Sequence, residues 1–195
     1  METRNILLVG VGGQGVLLAS EILSLGFLKA GFDVKKSEVH GMAQRGGTVS
    51  SHVRYGSKVY SPLIKKGDAD LLMAFECLEA LRWISFLKKE GTLLVNRQEI
   101  KPTSVTSGMM KYPEHLSELL VKIHPRTYII EGLELAKKAG DARSINSIMV
   151  GAASREISIS DSVWKEVIQE RMPNKVVPVN VRAFEMGRNL KQQGG

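Results

Sequence analysis

A glycine cluster, Gly10-Val11-Gly12-Gly13-Gln14-Gly15, stands between an apolar run and an amphipathic stretch, and no other feature limits the fold as much. Asn5 to Val9 (NILLV) is apolar after its first residue and bounded by glycine, as expected of a strand buried on both faces of a parallel sheet. Val16 to Gly31 (VLLASEILSLGFLKAG) spaces its apolar side chains at helical intervals until Gly31 stops them. Strand, glycine turn and helix in this order open a β-α-β unit.

The alternation continues. Asp33 to Val39 (DVKKSEV) reads as a second strand and Thr48 to Tyr55 (TVSSHVRY) as a third, separated by His40 to Gly47 (HGMAQRGG), which is too rich in glycine for a regular element. A Gly56-Ser57 turn leads to Lys58-Val59-Tyr60-Ser61, which reads as a short hairpin partner, so the sheet is expected to be mixed. Asp70 to Phe75 is a further buried strand. Glu76 to Lys89 reads as a helix turning Leu78, Leu81, Trp83, Ile84 and Leu87 toward the core, and Gly91 to Val95 repeats the strand signature. Thr127 to Ile130 is followed by a helix over Glu131 to Ala139. From Ser144 onward only helices are expected, over 144–157, 160–171 and 180–190, the second opened by Ser160 or Asp161 and closed near Pro173. The expected class is α/β, a Rossmann-like three-layer sandwich with a mostly parallel, partly mixed sheet and a helical C-terminal segment. A length of 195 residues suits one domain over 1–195, with a frayed KQQGG tail at 191–195.

Composition narrows the chemistry. The one cysteine, Cys77, cannot supply the four thiolates an iron–sulfur cluster usually needs, so cluster chemistry is expected on another chain. No histidine has metal-ligand spacing with another His or Cys, and no bound metal is expected. No apolar run reaches the roughly 18 residues that span a bilayer, and METRNILLVG enters a strand pattern with no leader, so a cytoplasmic protein without membrane contact is expected. Lys and Arg number 27 against 20 Asp and Glu, a formal +7. Besides solubility, that excess suits anionic ligands. Basic pairs such as Lys35-Lys36 and Lys137-Lys138 are scattered, which favours local anion sites over a nucleic-acid stripe.

Gly10, Gly12, Gly13, Gln14 and Gly15 head a helix directly after a strand. That geometry brings backbone N–H groups and about half a positive charge against phosphate oxygens, although a ligand-free crossover uses the same spacing. A nicotinamide site would want an acid at the end of the second strand, where Lys35, Lys36 and Glu38 stand. In the HGMAQRGG segment, Arg45 can present its planar fork to a carboxylate or phosphate, with Gln44 and Gly46 beside it. The alternative is a surface loop in which Arg45 pairs with Glu38 or Glu76. His40 and His52 are expected to make structural hydrogen bonds more than acid–base catalysis, and His115 and His124 to lie on the surface. Cys77 is expected to be a small buried hydrophobe. No GxSxG, Walker or HExxH motif appears. A free-standing nicotinamide- or flavin-dependent enzyme and a non-catalytic nucleotide-binding module remain open on the residues alone.

The segments VGVGGQGVLLASEIL, SEVHGMAQRGGTVSSHVRYG and DADLLMAFECLEALR resemble the gamma-type domain of 2-oxoacid:ferredoxin oxidoreductases, the indolepyruvate type first among them, over residues 4–190. The resemblance implies a large alpha subunit carrying thiamine diphosphate and iron–sulfur clusters, with no cofactor held tightly by the present chain. It implies oxidative decarboxylation of an aryl 2-oxoacid, with ferredoxin as electron acceptor and coenzyme A as co-substrate. Pyruvate and 2-oxoglutarate enzymes share the domain type. The expected assembly is a hetero-oligomer, with a homodimer as the alternative state of the isolated chain. Carried over by position, Gly10, Gly12, Gly13, Gln14 and Gly15 form a loop at the sheet's carboxyl edge with His40, Gln44, Arg45 and Gly46 beside it. They face the active-site cleft, the coenzyme A path or the partner surface.

Overall fold

The computed structural model describes residues 2–40 and 47–190, with His40 and Thr103 in backbone only. Six strands form one sheet: β1 (Arg4–Val11), β2 (Asp33–His40), β3 (Thr48–Gly56), β4 (Ala69–Ala74), β5 (Leu87–Asn96) and β6 (Thr127–Ile130), in the order β2-β3-β1-β4-β5-β6. β1, β4, β5 and β6 run parallel, and β3 runs antiparallel between β1 and β2. The expected mixed α/β sandwich is therefore present. Its helices are α1 (Val16–Lys29), α2 (Cys77–Trp83), α3 (Thr103–Thr106), α4 (Leu116–Ile123), α5 (Gly132–Ala139), α6 (Ile145–Ser154), α7 (Asp161–Arg171) and α8 (Val177–Arg188). None is long and apolar enough to cross a membrane.

Strand periodicity splits the core into two clusters. Successive side chains of a strand point to opposite faces, so Ile6 and Leu8 join one cluster while Leu7 and Val9 join the other. The first cluster packs the sheet against α1 and α5 to α8. Its largest fully buried members are Trp164, Phe27, Phe75 and Phe184, and the Phe27 ring stacks on Tyr55 with centroids 3.6 Å apart. The second cluster is smaller and packs α2 and α4, through Cys77, Ala80, Leu116 and Leu120, on the opposite face. Burial on both faces is why NILLV carries no polar alternation. Gly31 ends α1 as expected. Its φ of +84° lets Phe32 N–H reach back to the Phe27 carbonyl at 3.1 Å.

Three expectations need correction. Lys58–Ser61 is not a hairpin strand, because β3 is already paired on both edges. The segment instead crosses the sheet end, with Val59 N–H donating to Asp33 Oδ2 at 2.9 Å. The helix expected over 76–89 stops at Trp83. A 3₁₀ turn over Ile84–Phe86 follows, and Leu87 pairs with Ala69 to start β5, which lets Lys88 reach Asp70 at 2.8 Å. His124 is buried, its Nε2 lying 2.8 Å from the Gly91 carbonyl, whereas His115 is exposed as expected. The sequence reading also missed α4, whose Leu116, Leu120 and Ile123 spacing carries a helical signal.

α6 and α8 cross at backbone contact. A Cβ on Gly151 would lie 2.1 Å from the Phe184 carbonyl oxygen, and one on Gly187 would lie 2.0 Å from that of Ile148. Backbone cannot move aside as a side-chain tip does, so overpacking here forces the helices apart. Gly187→Ala is therefore expected to lower stability by about 1–3 kcal/mol, measured as a fall in denaturation midpoint. An unchanged midpoint would show that the two helices are not held this closely in solution.

Candidate functional site

β1 and β4 are neighbours, yet the chain leaves β1 toward β3 and β2 and leaves β4 toward β5 and β6. Their carboxyl ends therefore flank the crevice where open α/β sheets take ligands. The glycine cluster lies at this point. Gly13 (φ +100°) and Gly15 (φ +80°) adopt left-handed backbone that side chains resist, while a Cβ on Gly10 would meet Gln14 Oε1 at 2.9 Å and Phe75 Cβ at 3.0 Å. Gln14 folds back over the turn. Its Oε1 accepts from Val11 N–H at 2.7 Å, and its Nε2 donates to the Phe75 carbonyl at 2.8 Å and to Gln98 Oε1 at 3.0 Å. Asn96, at the end of β5, donates to the same two acceptors at 3.0 and 3.2 Å.

The loop consumes part of its own donor set. Gly12 N–H donates to the Gly47 carbonyl at 3.0 Å and Gln14 N–H to that of Val11 at 3.2 Å. The amides of Gly13 and Gly15 have no partner among the described residues, and α1 begins at Gly15 without a side-chain cap. They border a cleft of about 270 Å³ whose other walls include Phe75, Gln98, Arg143 and Ile145. Among the described residues, no acidic side chain lines it. Arg143 stands 86% exposed at the rim and forms a two-point pair with Asp141, its Nη2 lying 2.7 Å from Oδ2. That pair and the Arg143 backbone N–H hold the Asp141 carboxyl down at about 2. A more apolar hollow of about 320 Å³ lies at β6, α5 and α6, away from the glycine turn. Apolar hollows are the usual first choice for a ligand, but the donor-lined cleft matches the positive helix end and the switch point, so it is the candidate.

Gly10, Gly12, Gly13, Gln14 and Gly15 thus lie together at the carboxyl edge. His40 ends β2 at the same edge, whereas Gln44, Arg45 and Gly46 lie outside the described residues. The reversed β3 separates β2 from β1, so the second strand's acid lies two strand spacings from the glycine turn, about 9–10 Å. A nicotinamide domain of the usual kind has these strands adjacent. Glu38 instead meets Lys36 at 2.7 Å, and Lys35 meets Asp33 at 3.3 Å.

Glu76, the alternative partner for Arg45, is 1% exposed and takes donors from Glu79 N–H at 2.8 Å, Ile100 N–H at 3.0 Å and the Tyr112 hydroxyl at 2.6 Å. It caps α2 and fastens the strand-to-helix segment beyond β5. Burial and the bond to Glu76 push the Tyr112 hydroxyl pKa upward. Burial also raises the Glu79 carboxyl, against the opposing pull of Arg82. Cys77 is fully buried, and burial pushes its thiol up. His52 Nδ1 accepts from Ile64 N–H at 3.1 Å, and burial lowers its pKa, so it is a neutral structural acceptor. Asn96, Gln98 and Arg143 escaped the sequence reading. The signal for the first two was two amide side chains directly after the buried strand GTLLV.

A family model described as pyruvate ferredoxin/flavodoxin oxidoreductase matches residues 5–190. The indolepyruvate oxidoreductase subunit IorB of Archaeoglobus fulgidus is 43% identical, the match covering 97% of this chain and 96% of that protein. The protein of the same name from Thermococcus kodakarensis is 38% identical over 96% and 95%. A solved 2-oxoglutarate:ferredoxin oxidoreductase from Magnetococcus marinus, with 2-oxoglutarate, coenzyme A and succinyl-CoA bound, superposes with a TM-score of 0.75 at 22% identity. That likeness covers 96% of this chain and 31% of the solved one, and it is a likeness of fold.

The Gln14 bridge yields a direct test. Gln14→Met keeps the side-chain length but leaves Val11 N–H without its acceptor and removes one donor from the Phe75 carbonyl. A buried group left unpaired costs about 1–3 kcal/mol, which for a chain of this size is a drop in Tm of roughly 2–12 °C. An unchanged melting curve would show that the bridge does not hold the turn.

Proposed function

The chain belongs to the pyruvate ferredoxin/flavodoxin oxidoreductase family, and from that premise we propose that it is the small subunit of an indolepyruvate (aryl 2-oxoacid):ferredoxin oxidoreductase. The observation that carries the reading is the 43% identity to an indolepyruvate oxidoreductase subunit along almost the whole of both chains. The complex would convert an aryl 2-oxoacid, coenzyme A and two oxidised ferredoxins into the aryl-acetyl-CoA thioester, carbon dioxide, two reduced ferredoxins and a proton. A single cysteine, Cys77, cannot supply the four thiolates that an iron–sulfur cluster usually takes. The clusters are accordingly assigned to the large subunit, and the family reading places thiamine diphosphate there too, in a cytoplasmic hetero-oligomer.

Within that complex the donor-lined cleft is the contribution of this chain. The free amides of Gly13 and Gly15 at the head of a 14-residue helix, with Arg143 at the rim, suit a phosphate of coenzyme A or the carboxylate of the oxoacid. His40, Gln44, Arg45 and Gly46 are proposed to complete the site in the assembled enzyme.

Reconstitution tests the reading. The isolated chain is expected to be colourless and unable to reduce ferredoxin, while mixing with the large subunit restores turnover, fastest with indolepyruvate in a panel that includes pyruvate and 2-oxoglutarate. Turnover by the lone chain, or preference for a non-aryl oxoacid, would overturn it. In the same assay Arg45→Ala is expected to lower kcat/KM by roughly ten- to a hundredfold, the worth of one charged hydrogen bond, without moving the Tm of the isolated chain.

A further inference from the structure

The amide network at the crevice has a fixed polarity, set by two backbone groups whose roles cannot change. Val11 N–H can only donate, so the group it meets at 2.7 Å is Gln14 Oε1, and Gln14 Nε2 must face the other way. The Phe75 carbonyl can only accept, so the groups it meets at 2.8 and 3.0 Å are Gln14 Nε2 and Asn96 Nδ2. Each of these NH₂ groups spends its second proton on Gln98 Oε1, at 3.0 and 3.2 Å. Turning the Gln98 amide over would set NH₂ against two NH₂ groups, so its orientation is determined.

Gln98 is also held by its backbone. Its carbonyl accepts from Cys77 N–H at 2.9 Å, and its N–H donates to the Asn96 carbonyl at 2.7 Å. Its side-chain NH₂ has no acceptor among the described residues, and Gln98 lines the 270 Å³ cleft, whose described lining holds no carboxylate. Two donors on its oxygen polarise the amide and strengthen its remaining protons as donors.

We propose that Gln98 is a ligand-contacting residue whose side-chain NH₂ donates to an oxyanion, a phosphate or a carboxylate, held in the cleft at the ends of β1, β4 and β5. The donor is preorganised because reorienting it would break two hydrogen bonds, so little ordering cost remains at binding. The assignment rests on the reading of the cleft as an anion site. It adds a residue from outside the glycine turn.

The test is a titration of the ¹⁵N-labelled full-length chain, once with inorganic pyrophosphate and once with acetate. The Gln98 side-chain NH₂ resonances, assigned through bonds from its own backbone, are followed beside the amides of Gly13 and Gly15. They are expected to move saturably. A response to pyrophosphate alone identifies a phosphate-bearing ligand, and a response to acetate alone identifies a carboxylate. Gln98→Glu keeps an oxygen for Gln14 and Asn96 but turns a second oxygen into the cleft, and is expected to weaken binding at least about tenfold. Movement of the Gly13 and Gly15 amides with a stationary Gln98 NH₂ would overturn the assignment and leave the anion site standing. Unchanged affinity in Gln98→Glu would overturn it as well, and no movement anywhere would remove both the residue and the site.

Discussion

The Phe75 carbonyl oxygen, just past the end of β4, accepts from the side chains of Gln14 and Asn96 and so links three parallel strands where their ladders have run out. At that point the backbone groups of β1, β4 and β5 can no longer satisfy one another, and an unpaired buried group would cost about 1–3 kcal/mol. Amide side chains extend the pairing by one more layer. The shape of the glycine turn, the direction of α1 and the wall of the cleft all follow from that extension.

The two faces of the sheet are unequal. One carries α1 and α5 to α8, with the aromatic cluster of Phe27, Tyr55 and Trp164 and a helix pair in backbone contact at Gly151 and Gly187. The other carries α2 and α4 over a smaller, mostly aliphatic buried cluster, with Trp83, Phe86 and Tyr112 packed at its margin. The rigid face supports α1, whose first turn borders the cleft, so that donor array is backed by the better-packed half of the protein. Segments that leave the sheet on the thin side are tied down by polar contacts, such as those of Glu76.

Much of this was legible in the residues. NILLV, DLLMAF and GTLLV announced buried parallel strands because burial on both faces removes polar alternation, and the glycine cluster announced the turn to α1. Elsewhere tertiary pairing overrode local pattern. Leu87 continued a helical spacing from Leu81 and Ile84, yet its backbone was required by β4. Lys58–Ser61 had the composition of a strand, yet no edge was free for it. The direction of β3, which removes the second strand from the glycine turn, depends on which strands become neighbours, and one chain read in order carries no signal for that. The cleft was half visible for the same reason. Its glycines are contiguous, whereas Gln98 and Arg143 arrive from distant parts of the chain.

Glu76 gathers the start of α2, the Ile100 amide and the Tyr112 hydroxyl onto one carboxylate with almost no exposure to water. Positions 76 and 112 are therefore coupled through their side chains, whereas position 100 contributes only its backbone N–H. Once the acid is gone, Tyr112 has lost its acceptor, and removing its hydroxyl as well relieves part of the damage, so the double change costs less than the sum of the two. Without its partner carboxylate, position 112 is better filled by an apolar side chain, so the residue that suits 112 depends on the one at 76 through a single hydrogen bond.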